Sequence, residues 1–169
     1  MTALQQVKTA VVDALGGAGL TAMSAYSEEQ LKKYTTAVTA VGLREMKVTE
    51  SGTMEYLGEK YDAVQDAMLE VYGKKLALLL SLDVYAPRTR GAEGCEEAAE
   101  EITQVMMSAL PSGLRVKELT WDGTEWDKTY GMFRLSAQAA YEAYFVAETE
   151  EETAVFTDFV LKGVVRAHE

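Results

Sequence analysis

The apolar positions are densest over residues 74–87. There Leu76, Leu78, Leu80, Leu82 and Val84 share one parity, and Ala77, Leu79 and Tyr85 fall on the other. A strand that is apolar on both faces belongs in the middle of a sheet, with cover on each side. Pro87 ends it, because proline offers no N–H to the ladder. The rest of the chain reads as what flanks or covers this strand.

Before it, Leu4, Val7, Val11, Ala14 and Leu15 recur at helical spacing, and Gly16 and Gly17 close that helix. Residues 20–26 read as a short strand. Ser27 and Gln30 have capping-box spacing, with a helical turn through Leu31 and Tyr34 to follow. Residues 35–50 read as extended, with Gly42 as a possible bulge. Residues 51–73 have no clean period. They fit either a helix over 63–69 or a long hairpin arm feeding the central strand, and 51–72 is the candidate projecting arm.

After Pro87 and a loop, Cys95, Ala98, Ala99, Ile102, Val105, Met106, Ala109 and Leu110 form one apolar stripe, which predicts a helix over 94–110. A strand follows at 114–121, with Leu114, Val116, Glu118 and Thr120 on one face. Asp122-Gly123 signals either a tight turn or a longer loop to Gly131. In the strand 132–146, Phe133, Leu135, Ala137, Ala139, Tyr141, Ala143 and Phe145 are the core set. Residues 148–153 read as an acidic turn and 155–165 as a last strand. The expected architecture is α+β: a mostly antiparallel sheet of five to six strands with two amphipathic helices, in one domain spanning 1–169. Leu78, Leu80, Leu82, Ile102, Val105, Met106, Leu135 and Phe159 are expected to share one core.

Charge narrows the partners. With 16 Lys and Arg against 27 Asp and Glu, the net charge is −11, which disfavours direct nucleic-acid binding and anionic membranes. A single cysteine cannot close an intramolecular disulfide, so a reducing cytoplasm is the expected setting. The N-terminal residues lack the pattern of a signal peptide, and no apolar run approaches the ~20 residues of a membrane span.

Catalytic chemistry finds little to stand on. Glu96, Glu97, Glu100 and Glu101 read as a solvated helix face, since the single histidine, His168, supplies no Glu-x-x-His pair. Cys95 lies on the apolar stripe beside Glu93, Glu96 and Glu97, which fits a buried structural thiol better than a reactive one. Residues 91–94 lack the Gly-Lys-Ser/Thr ending of a phosphate loop. No catalytic residue, cofactor or metal ligand is therefore assigned. Trp121, Trp126, Tyr130, Tyr141 and Tyr144 gather around one hairpin in sequence and either pack the sheet or anchor an interface.

Four stretches together resemble small proteins of the head–tail module of tailed phages and prophages of Gram-positive gut bacteria. They are residues 56–61, residues 82–87 with Gly91 and Cys95, residues 130–133 and residues 156–163. The element order is similar to that of the phage tail terminators, although the extra strand at 155–165 departs from it. That resemblance implies a non-enzymatic structural virion protein. It would form a homo-oligomeric ring, commonly hexameric, in the host cytoplasm during assembly and then in the tail or neck. Its partners would be the tail tube protein and a head-side connector, with no nucleic acid bound. Tyr56, Tyr61, Tyr72, Trp126, Tyr130 and Tyr144 are the candidate interface residues. A head-completion or connector protein is the alternative within virions, and a small-molecule-binding α+β domain the alternative outside them.

Overall fold

A computed structural model describes residues 3–24, 28–51, 55–150 and 153–155 of the chain. In chain order the elements are α1 (Ala3–Gly17), β1 (Thr21–Met23), α2 (Glu28–Leu31), β2 (Val38–Glu50), β3 (Tyr56–Asp62), β4 (Ala67–Ala86), α3 (Gly91–Ser108), β5 (Arg115–Trp121), β6 (Glu125–Asp127), β7 (Met132–Glu150) and β8 (Thr153–Val155). The fold is α+β. Its sheet is mixed and mostly antiparallel, since among the described residues only the β1–β2 pairing is parallel.

The dense apolar run is central, as its pattern predicts. β4 lies between β2 and β7 in the order β1-β2-β4-β7-β5, and β3, β6 and β8 pair off this path. The expectation of five to six strands is therefore low by these short extra strands. Leu76, Leu78, Leu80, Leu82 and Val84 face the same side as their β7 partners Ala143, Tyr141, Ala139, Ala137 and Leu135. Both long helices cover that side: Val7, Val11 and Leu15 of α1 and Cys95, Ile102, Val105 and Met106 of α3 join these residues in one core. Seven of the eight expected core residues lie in it; Phe159 lies outside the described residues.

The opposite face is wetter. α2 covers one end, where Leu31, Val38, Ala40, Tyr85 and Met132 form a second, smaller cluster. Polar pairs run along the middle. Ser136 donates to Asp83 at 2.6 Å, Arg134 pairs with Glu125 and Asp127, and Glu142 lies 2.9 Å from Lys75 and 3.4 Å from Lys117. Partial burial alone would raise the Glu142 carboxyl, but the hydrogen bond and charge of Lys75, with Lys117 behind it, hold it below its ordinary range. A depressed carboxylate contributes stability above its unfolded pKa and loses it as pH falls through the folded value. Between about pH 7 and pH 3, denaturant midpoints of the wild type should thus fall more steeply than those of Glu142→Gln. Parallel curves would remove Glu142 from the acid response.

Several local expectations are corrected. Of the two readings left open for residues 51–73, the hairpin is the one formed and the helix over 63–69 is not: β3 pairs with β4, and their turn is held by Asp62 Oδ1 accepting from the N–H groups of Val64 and Gln65. The bulge in β2 falls at Arg44, between Leu43 and Glu45, and not at Gly42. Gly42 instead permits close approach, since a Cβ there would lie 2.7 Å from Ser81 Oγ. In β5 a bulge at Lys117 resets the parity, so Val116, Leu119 and Trp121 share the helix-bearing face. α3 starts at Gly91, three residues earlier than its stripe suggests. The link from β5 to β7 is the longer alternative, with β6 inside it. The acidic stretch is not a turn at Glu148: β7 runs on to Glu150 and β8 pairs back onto it. The last strand expected at 155–165 lies outside the described residues beyond Val155.

Candidate assembly surface

Helices and strands differ in rise per residue, and that difference shapes the surface. β4 has 20 residues, roughly 66 Å at 3.3 Å each. α3 has 18 residues, about 27 Å at 1.5 Å each. One layer of helices cannot cover such a sheet. α1 and α3 bury the half around Leu80 and Val84, and among the described residues no helix covers the same face past Leu76.

By strand alternation, the same face presents Met46 and Val48 along the edge of β2 and, past Leu76, Tyr56 and Tyr61 of β3 and Met68 and Tyr72 of β4. Tyr56 and Tyr72 are direct partners with ring centroids 5.7 Å apart, edge to face, and Tyr61 is opposite Met68. Met46 is 49% exposed, Val48 44%, Tyr61 55% and Met68 57%. Each is large and apolar enough to stabilise a contact, and together they form a strip rather than scattered single residues. The tyrosine hydroxyls are tied down at the rim: Tyr61 donates to Asp66 and Tyr72 to Glu70. Lys74, 2.7 Å from Glu55, crosses the strip near the base of the hairpin.

The six candidate aromatics do not form one site. Tyr56, Tyr61 and Tyr72 lie on the strip. Trp126 is exposed at the far end of the sheet, edge to face with Phe133 at 5.0 Å. Tyr130 packs on Tyr85 in the cluster under α2, and Tyr144 on Leu57 and Val71. The aromatics near each other in sequence also separate in space. Trp121 donates its indole N–H to Thr103 Oγ1 at 3.1 Å, and Tyr141 is buried with its hydroxyl on Met106 Sδ at 2.9 Å. Selecting aromatics alone missed Leu43, Met46, Val48 and Met68. Leu43, Met46 and Val48 are exposed because β2 is at the edge of the sheet beside the buried row, and Met68 because it lies beyond the helices.

Cys95 is fully buried, and its thiol faces the carbonyl oxygens of Val84 at 3.7 Å and Phe133 at 3.5 Å. Burial pushes this thiol up to about 11, so it stays protonated at neutral pH and acts as a tie between α3 and the β4–β7 pair. Among the described residues no group of three or more His, Cys, Asp or Glu is placed to hold a metal ion. No helix among them is long and apolar enough to cross a membrane. A depression of about 440 Å³ lies on the second face between Asp122, Glu125, Arg134 and Ser136. Its cation, Arg134, is already paired with Glu125 and Asp127.

These features define an α+β protein whose exposed large apolar side chains, among the described residues, lie mostly on a sheet face and a hairpin, with Met107 and Trp126 apart from them. Comparison with protein-family models and with curated proteins returns no match.

Proposed function

We propose that this protein is a structural assembly subunit, a phage tail terminator that forms a ring on the end of a tail tube and offers its other side to the head-side connector. The observation that carries the reading is the strip of large exposed apolar side chains along the hairpin and β2. Such a strip marks a protein–protein surface. The element order and the four stretches that resemble head–tail module proteins supply the kind of assembly. The work asked of such a subunit is steric: it complements a tube end on one side and presents nothing on the other to which a further tube subunit can add. The proposed ring is homo-oligomeric, hexameric in keeping with the resemblance, and it binds tube and connector proteins rather than nucleic acid.

Electron micrographs of a phage lacking this gene test the reading. Overlong, irregular tubes without heads are expected, and purified protein added to polymerising tube subunits should cap ends and shorten the length distribution. Tails of normal length lacking heads would assign the protein to the connector side instead. Normal virions would reject both roles.

A further inference from the structure

The sheet has two open edges among the described residues. β1 covers β2 only at Val38–Ala40, leaving Leu43–Glu50 without an outer partner, and β5 pairs only with β7. Three successive antiparallel pairings separate these edges, so β5 runs antiparallel to β2. If a second copy stands beside the first with its helices on the same side, β5 of one therefore meets β2 of the next in antiparallel sense. An open edge is a template for this kind of pairing.

The side chains single out a register. Both edges carry a bulge, at Arg44 and at Lys117, and each bulge resets parity in its strand. With Glu118 set opposite Lys47 of the next copy, the apolar partners on the helix-bearing face are Val116 with Val48, Leu119 with Met46, and Trp121 with Leu43. On the other face Thr120 meets Glu45 and Arg115 meets Thr49. The register without stagger instead places Glu118 against Glu45 and Arg115 against Lys47, both like-charge pairs, which destabilise a cross-strand contact. The staggered register replaces them with an opposite-charge pair and keeps every face matched. Met107, 77% exposed and one turn beyond Thr103 on the β5 side of α3, overhangs the same junction.

We infer that copies of this chain join head to tail through β5 and β2, with Glu118 opposite Lys47, into one sheet continuous across subunits. This deepens the proposed function, since it rests on self-assembly and names its interface. Head-to-tail contacts close into a ring when the rotation per subunit allows.

Disulfide trapping of the full-length chain tests it. Val48 and Val116 lie on opposite edges of one subunit, with β4 and β7 between them, roughly 14 Å apart at 4.8 Å per strand spacing. That is too far for an internal bridge. Under mild oxidation Val48→Cys/Val116→Cys should give a ladder of covalent multimers, while either single variant should give none. In light scattering, Lys47→Glu and Glu118→Lys should each weaken assembly at least tenfold, and the combined swap should restore it. If the wild type assembles but the double-cysteine variant stays monomeric, this interface is wrong and the proposed ring stands on some other contact. If the wild type shows no assembly, even beside tube protein, both readings fail. Hydrogen exchange gives an independent arm: the β2 edge amides should exchange fast in the monomer, and protection there would show that another part of the same chain already covers the edge.

Discussion

Leu80→Ala should lower the unfolding free energy by about 2–5 kcal/mol. Leu80 is fully buried, with Leu43 beside it on β2 and Ala139 on β7. The β7 row facing α3 is largely alanine, at Ala137, Ala139 and Ala143. Small neighbours bring the helix close and leave few side-chain atoms able to move into the space a lost isobutyl group leaves. The cost should therefore carry a cavity contribution beyond simple transfer. Urea titration with an unchanged slope would read it directly. A loss below about 0.5 kcal/mol, the size of an ordinary surface effect, would mean that the face assignment of β4 is wrong.

The other large effect is expected at Gly94. A Cβ there would lie 2.8 Å from Arg90 Cβ and 3.4 Å from Ala86 Cβ. The tight approach is to Arg90, the N-cap residue of α3 itself, while Ala86 at the end of β4 stands at the edge of ordinary contact. Alanine would gain up to about 1 kcal/mol of helix propensity against this clash, so its sign is a contest. Valine adds two methyl groups and should cost about 1–3 kcal/mol or more by overpacking. It should also loosen the Cys95 tie, so a thiol reagent should label Gly94→Val faster than wild type. Gly16→Ala is the control. Its added Cβ meets nothing within 4 Å, and it should be neutral or mildly stabilising in thermal melts. Equal melting temperatures for Gly94→Val and wild type would overturn the close-approach argument.

Much of the fold was legible where a local pattern forces a local answer. The two-faced run of β4 could be satisfied only inside a sheet, and the stripes of α1 and α3 only against one. The misreadings share a different cause. At Arg44 and Lys117 one extra residue shifts the parity, so Leu43 and Met46, three apart, share a face, as do Val116 and Leu119. Strict alternation hides such a row. Residues 51–73 were undecidable locally, because the hairpin is set by pairing with β4 and not by its own period. The acidic stretch at 148–150 looks like a turn by composition but is carried along as the end of a long strand. The candidate surface was legible only as scattered tyrosines, since exposure depends on where two helices stop over a sheet and on which strand lies at its edge, and no window of sequence holds that information.

The pairing of β4 with β7 also dictates how the chain must fold in time. Sixteen successive partners join Val71–Ala86 to Phe133–Glu148, and α3, β5 and β6 are all made between them. On a ribosome, β4 emerges long before its partner. Until Met132 and the residues after it appear, the row from Leu76 to Val84 has β2 on one side and an open edge on the other. The loop that must close is long, which places folding among slow, non-local topologies. A nascent or prematurely terminated chain ending before β7 would therefore carry an apolar strand with an unsatisfied edge, a template for aggregation that the finished subunit keeps hidden.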